Sequence, residues 1–184
     1  MSSLPEHADE ISLVERAKQD PTAFGELYDR HFHQIYRFVF SRVRDQNAAE
    51  DVTSEVFIKA LRGIGRYQHT GRPFSAWLYQ IAVNAVHDRY RSARPTEDID
   101  QQIAISAPGP GIEEVALQND EIRRIWAIVE KLPRAQRTAL VLKFQEDMKI
   151  DDIAAVMGKT PGAVKLLIHR GVSRLRETRE EWSA

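Results

Sequence analysis

The stretch Ile150-Asp151-Asp152-Ile153-Ala154-Ala155-Val156-Met157-Gly158-Lys159-Thr160-Pro161-Gly162-Ala163-Val164-Lys165-Leu166-Leu167-Ile168-His169-Arg170 carries the strongest pattern in this 184-residue chain. Ile150, Ile153, Ala154 and Val156 belong to a short helix that stops at Gly158. Thr160-Pro161 then opens a second helix: the threonine hydroxyl caps free N–H groups, and proline fits the first turn. Val164, Leu167, Ile168 and Leu175 fall on one face of that helix. Lys165, His169, Arg170, Arg174 and Arg176 are left on or beside the other. A short helix, a glycine turn and a second helix with a basic outer face make a helix-turn-helix. Such a helix is about 10–12 Å wide and fits a major groove about 12 Å across. A plain helical hairpin with a basic surface fits the same residues. Leu166, on or near the outer face, suits contact with a thymine methyl or a partly buried flank.

Working outward, helical periodicity continues toward the N-terminus. Ala135–Phe144 reads as a helix, Leu132-Pro133 as a boundary, and Asn119–Val129 as a helix with Ile122, Ile125, Trp126 and Val129 on one side. Before it the pattern collapses. Ser106-Ala107-Pro108-Gly109-Pro110-Gly111 cannot form a helix or strand interior. Residues 95–118 are therefore expected to be a flexible acidic linker. Residues 1–94 read as a first helical domain. It has a short helix near Leu13, Val14 and Ala17. Asp20-Pro21 starts a long one with a stripe over Phe24, Leu27, Tyr28, Phe32, Ile35, Tyr36, Val39, Phe40 and Val43. Asn47-Ala48-Ala49-Glu50 resembles a capping box for a third helix. That helix carries Val52, Val56, Phe57, Ala60 and Leu61 on one side and ends at Gly63 and Gly65. A fourth helix carries Phe74, Trp77, Leu78, Ile81, Ala82, Ala85 and Val86. The expected fold is all-α, with two small helical domains, 1–94 and 119–184.

The composition limits the chemistry. The chain has no cysteine, which removes disulfides, thiol catalysis and cysteine-based metal sites. It has no run of about 18 apolar residues and no signal-like N-terminus, so a cytoplasmic location is expected. The net charge of −1 hides opposing blocks. Residues 59–94 carry +6, 95–121 carry −7, and 158–179 carry +5. Phosphate attraction acts within roughly 8–10 Å, so local basic zones matter more than the average.

A second candidate region lies in the first domain. The loop Arg66-Tyr67-Gln68-His69-Thr70-Gly71-Arg72-Pro73 mixes aromatics with cations, which suits stacking on unpaired bases. The helix after it projects Gln80, Asn84, His87, Asp88 and Arg91 away from its apolar stripe. An asparagine amide can hydrogen-bond a base edge. A half-buried Tyr67 and a solvent-facing Asn84 are the structural alternatives.

Five ordered stretches together resemble the bacterial group 4, or extracytoplasmic function (ECF), sigma factors of the sigma-70 family. They are Ala23-Phe24-Gly25-Glu26-Leu27-Tyr28, Ala49-Glu50-Asp51-Val52-Thr53-Ser54-Glu55-Val56-Phe57, Phe74-Ser75-Ala76-Trp77-Leu78-Tyr79-Gln80-Ile81-Ala82-Val83-Asn84, Leu132-Pro133-Arg134-Ala135-Gln136-Arg137, and Asp151–Ala154 running through Gly162–Arg170. The resemblance implies a sigma-2 domain over 1–94 and a sigma-4 domain over 119–184. It implies a non-enzymatic transcription initiation factor, with no cofactor and no metal. It would bind RNA polymerase core through the clamp helices of the largest subunit and the flap of the second-largest. It would recognise −10 and −35 promoter elements. Asp51, Glu55 and Phe57 match core-binding positions. Lys59, Arg66, Tyr67, Asn84 and Arg91 fall in the −10 set. Lys165, Leu166, His169, Arg170 and Arg174 fall on the −35 helix. An anti-sigma factor is a further implied partner, and the linker would run toward the RNA exit path.

Some residues depart from that pattern. Tyr67 stands where phenylalanine is frequent, and Gln80 and Val83 where basic residues are. Leu166 replaces a frequently polar position. Lys149 stands where serine usually caps the first helix of the motif, so Asp151 or Asp152 is expected to cap instead. Two other classes compete. A helix-turn-helix regulator would bind duplex DNA without polymerase. A metal enzyme would need His31 and His33 as ligands, but residues two apart on a helix diverge by about 200°.

Overall fold

The computed structural model describes residues 4–92 and 120–183. All regular structure among them is helical. The chain divides into two compact units, Met1–Pro95 and Thr96–Ala184. The expected linker, 95–118, lies outside the described residues.

The first unit contains α1 (Leu4–Ala17), α2 (Pro21–Val43), α3 (Gln46–Gly63), a 3-10 turn (Ile64–Arg66) and α4 (Phe74–Ser92). The α2 start follows the sequence reading. Asp20 is extended, its carboxylate accepts from the Thr22 N–H at 2.8 Å, and Pro21 occupies the first turn. The helix ends where Arg44 turns left-handed, at φ 56°, and its N–H donates to the Phe40 carbonyl at 3.0 Å. The start of α3 corrects the expected Asn47 cap. Asp45 is the extended residue, and its carboxylate accepts from the Ala48 N–H at 2.7 Å. Asn47 lies inside the first turn. Only Arg44 and Asp45 separate α2 from α3, so the two helices fold back on each other. Along α2 the buried line is Leu27, His31, Ile35, Phe38 and Arg42.

Two polar members of that line are satisfied locally. The Arg42 guanidinium lies 3.6 Å from the centre of the Phe38 ring and donates to the Phe38 carbonyl at 3.0 Å. His31 Nε2 lies 3.0 Å from a Glu10 carboxylate oxygen on α1. Tyr28, Phe32, Tyr36 and Phe40 form an adjacent ring ladder, with centroids 5.1, 5.9 and 6.0 Å apart in turn. Tyr28, expected in the core, is 37% exposed. The polarity of His31 and Arg42 shifted the sequence-derived stripe toward these rings.

The second unit contains α5 (Asp120–Val129), α6 (Arg134–Leu140) with a π-helical continuation (Val141–Gln145), α7 (Ile150–Met157) and α8 (Pro161–Ser183). Val129, Leu132 and Leu140 form its buried cluster, with Trp126, Ile168, Val172 and Leu175 packed around it. Truncating Leu140, which is fully buried, would cost about 2–5 kcal/mol in transfer and cavity terms. The expected regular helix over Ala135–Phe144 is therefore α until Leu140 and π beyond it. The wider turn closes with the Glu146 N–H donating to the Val141 carbonyl at 3.2 Å.

Candidate nucleic-acid interface

The geometry around α8 is set from both ends. Gly158 closes α7 at φ 61°, a left-handed conformation that glycine adopts without strain. The Lys159 N–H then donates to the Ala154 carbonyl at 2.9 Å. Thr160 Oγ1 accepts from the Ala163 N–H at 3.2 Å, so the expected threonine cap is present. At the start of α7, Lys149 makes no side-chain cap bond. Asp151 and Asp152 lie inside its first turn, where their charge complements the helix dipole, rather than at the cap position assigned to them from sequence.

Val164 is fully buried beneath α8. Gly171 lets the helix approach α6 closely: a Cβ there would stand 2.8 Å from Leu140 Cδ1 and 3.2 Å from its Cγ. That approach fixes the depth at which α8 sits. Lys165, Leu166, His169, Arg170 and Arg174 are all exposed on the opposite side. The second unit thus brings its five sequence-predicted residues to one surface.

The first unit distributes its candidates. Tyr67 is half-buried, its ring centre 4.9 Å from that of Trp77 and 5.4 Å from that of Phe74. Burial raises its phenol pKa, and the negative charges of Glu10 and Glu15 add to the effect. The hydroxyl therefore stays protonated and remains a donor at neutral pH. Trp77 in turn lies against Gly63, where a Cβ would stand 3.2 Å from the indole. The α4 start is held from α1: a Glu10 carboxylate oxygen accepts from the Phe74 N–H at 3.3 Å. Arg66, Asn84 and Arg91 are exposed. At 1.5 Å rise per residue, Phe74 to Arg91 spans about 25 Å of α4. The candidate −10 set is thus a strip along one helix with an aromatic at its head.

The α3 candidates separate. Asp51 and Glu55 are exposed and line an open cleft of about 480 Å³ with Val52, Asp88, Arg89, Arg91 and Ser92. Arg91 also pairs with Asp88 at 2.8 Å. Acidic α3 and basic α4 candidates therefore meet around one cleft. Lys59 is not with the α4 strip in its contacts; it pairs with Glu55 at 2.6 Å on α3. Phe57 requires a correction. It is 4% exposed and packs edge-on to Tyr28 at 4.7 Å, so it presents no surface. The exposed apolar residues of α3 are Ile58 and Leu61, and Leu61 had been placed on the buried side. One residue is about 100° of helix, so Ala60 can be buried while Leu61 is not.

Residues 27–96 match the sigma-70 region 2 family model, and residues 122–175 match the sigma-70 region 4 model. The ECF RNA polymerase sigma factor SigW of Bacillus subtilis is 31% identical over 182 residues, covering 91% of this chain and 97% of SigW. The chain belongs to the ECF sigma factors of the sigma-70 family. The ECF RNA polymerase sigma factor BldN of Streptomyces coelicolor is 36% identical, covering 90% of this chain. The chain spans 64% of the length of BldN. A solved structure of the sigma factor RpoE in complex with the anti-sigma factor NepR, from Bartonella quintana, shares the fold. It has a TM-score of 0.65 at 20% identity, covering 85% of this chain and 96% of that one. Sigma regions 2 and 4 thus fall on the two helical units. His31 and His33, the candidate metal pair, diverge: His31 is buried and His33 exposed.

Proposed function

We propose that this ECF sigma factor binds RNA polymerase core and directs it to promoters carrying −10 and −35 elements. The observation that carries the reading is the α8 surface. A capped helix, seated by Gly171, presents Lys165, Leu166, His169, Arg170 and Arg174 together, inside a match to sigma region 4. In this reading residues 1–94 form the sigma-2 domain and residues 119–184 the sigma-4 domain. Asp51 and Glu55 meet a basic surface on the clamp helices of the largest subunit, and the sigma-4 domain engages the flap of the second-largest. Tyr67 stacks on an extruded −10 base, with Arg66, Asn84 and Arg91 along the strand and Lys59 beside them on α3. Phe57 acts from inside the domain, by shaping α3.

The protein works by binding, not by catalysis, and in the cytoplasm, where polymerase is. No helix among the described residues is long and apolar enough to cross a membrane. An anti-sigma factor is a further partner in this reading, as the solved RpoE–NepR complex exemplifies for that protein. The test is capture of polymerase core by the purified chain, followed by promoter binding with and without core. Binding that requires core supports the reading. Specific duplex binding by the chain alone, with no core capture, would instead make it a free-standing helix-turn-helix regulator.

A further inference from the structure

The centre line of the α8 outer face is apolar, and that is unusual for a surface meeting a polyanion. Leu166 is 48% exposed, which removes the partly buried flank as its explanation. At about 100° per residue, Leu166 points nearly opposite Gly171 and Val164, the buried side of the helix. Lys165 lies about 100° to one side and Arg174 about 80° to the other. The cations therefore occupy the two rims, where the phosphate backbones bounding a groove run, and Leu166 occupies the middle, where base edges are. One turn earlier on the same line is Gly162, where a Cβ would meet nothing within 4 Å. The helix start thus carries no side chain to hold it off the DNA, and Leu166 is the first side chain on that line.

A leucine can neither donate nor accept a hydrogen bond. Of the groups that the four bases show in the major groove, only the thymine C5-methyl is apolar. Any other base at that position would leave a polar edge desolvated against the leucine without a partner. We infer that Leu166 makes this sigma factor read a thymine methyl within its −35 element. The inference rests on the proposed placement of α8 in the −35 groove and adds the chemistry of one position.

The test uses holoenzyme assembled from the full chain and polymerase core, with a duplex library randomised across the −35 region. Each thymine of the selected element is then replaced in turn by deoxyuridine, which removes only the methyl. At one position the replacement is expected to weaken binding about fourfold, the weight of one buried methyl-sized group. In Leu166→Ala, which alters an exposed side chain and leaves the core intact, thymine and deoxyuridine should bind equally there. The inference is overturned if no thymine is selected, if deoxyuridine is tolerated at every position, or if the penalty survives in Leu166→Ala. Selection of no −35 element at all would overturn the groove placement itself, and the inference with it. The two failures are therefore distinguishable.

Discussion

The two units solve nucleic-acid contact in opposite ways. The second gathers five exposed side chains on one turn-capped helix. The first spreads its candidates along about 25 Å of α4 and holds its key ring half-buried between Phe74 and Trp77. Duplex reading tolerates long solvated side chains, because the groove and its phosphates are already formed. Capture of an extruded base does not, because a floppy aromatic would forfeit entropy with each stacking event. The difference shows in the supports. Tyr67 rests on two rings, Trp77 lies against Gly63, and Glu10 pins the start of α4 from α1. The α8 side chains need only the backbone seat at Gly171.

The largest expected effect tests whether the first unit has a third, separate surface. Asp51→Lys with Glu55→Lys should weaken core capture at least about a hundredfold, the scale of losing opposed charges at an interface. Helicity by circular dichroism should be unchanged, because both residues are exposed. Wild-type capture by the double variant would place the polymerase interface elsewhere.

The seat of α8 comes next. Gly171→Leu forces side-chain atoms into space held by buried Leu140 and should destabilise the second unit by about 1–3 kcal/mol. Thermal unfolding followed in the isolated chain checks this, and an unchanged melting temperature would show that α6 yields easily.

Tyr67→Ala should cost about 1–3 kcal/mol of single-strand contact and slow promoter opening, while Tyr67→Phe retains most of it. A fluorescent base analogue at −10 reports the step. Equal opening rates for wild type and Tyr67→Ala would erase the contrast drawn between the units.

The smallest effects separate roles within α8. Lys165→Ala should cost about 1–3 kcal/mol and relax one or two −35 positions. Arg174→Ala should weaken all promoters alike and lower the slope of log affinity against log salt by about 1. Holoenzyme binding to a promoter library at several salt concentrations would reveal an exchange of these roles.

Much of this architecture can be read from sequence because caps and breakers act locally. Asp20-Pro21 and Thr160-Pro161 start helices where they stand, and Gly158 ends one. The failures arise where distant partners decide. Asn47 has the right chemistry for a cap, but Asp45 holds the extended backbone that a cap requires, directly after Arg44 turns left-handed. His31 and Arg42 look like surface residues until Glu10 and the Phe38 ring are placed beside them. Phe57 and Leu61 exchange exposure because α2 supplies Tyr28 on one side of α3 only. The exposed α8 residues were legible because one periodic helix determines them all. The union of Asp51, Glu55 and Arg91 around a cleft was not, since it depends on how α3 and α4 pack.

The π-helical segment at Val141–Gln145 has a consequence for chain length. A π turn holds more residues than an α turn of the same pitch, so it stores surplus backbone in the middle of the second unit. Phe144, 62% exposed, rides on that surplus. Every helix after it inherits a phase set there, because each residue of surplus turns the downstream chain by about 100°. The direction in which α8 faces the DNA is therefore partly a matter of counting. Loss of a single residue at this point could leave every hydrogen-bonded turn whole and still aim the helix-turn-helix the wrong way.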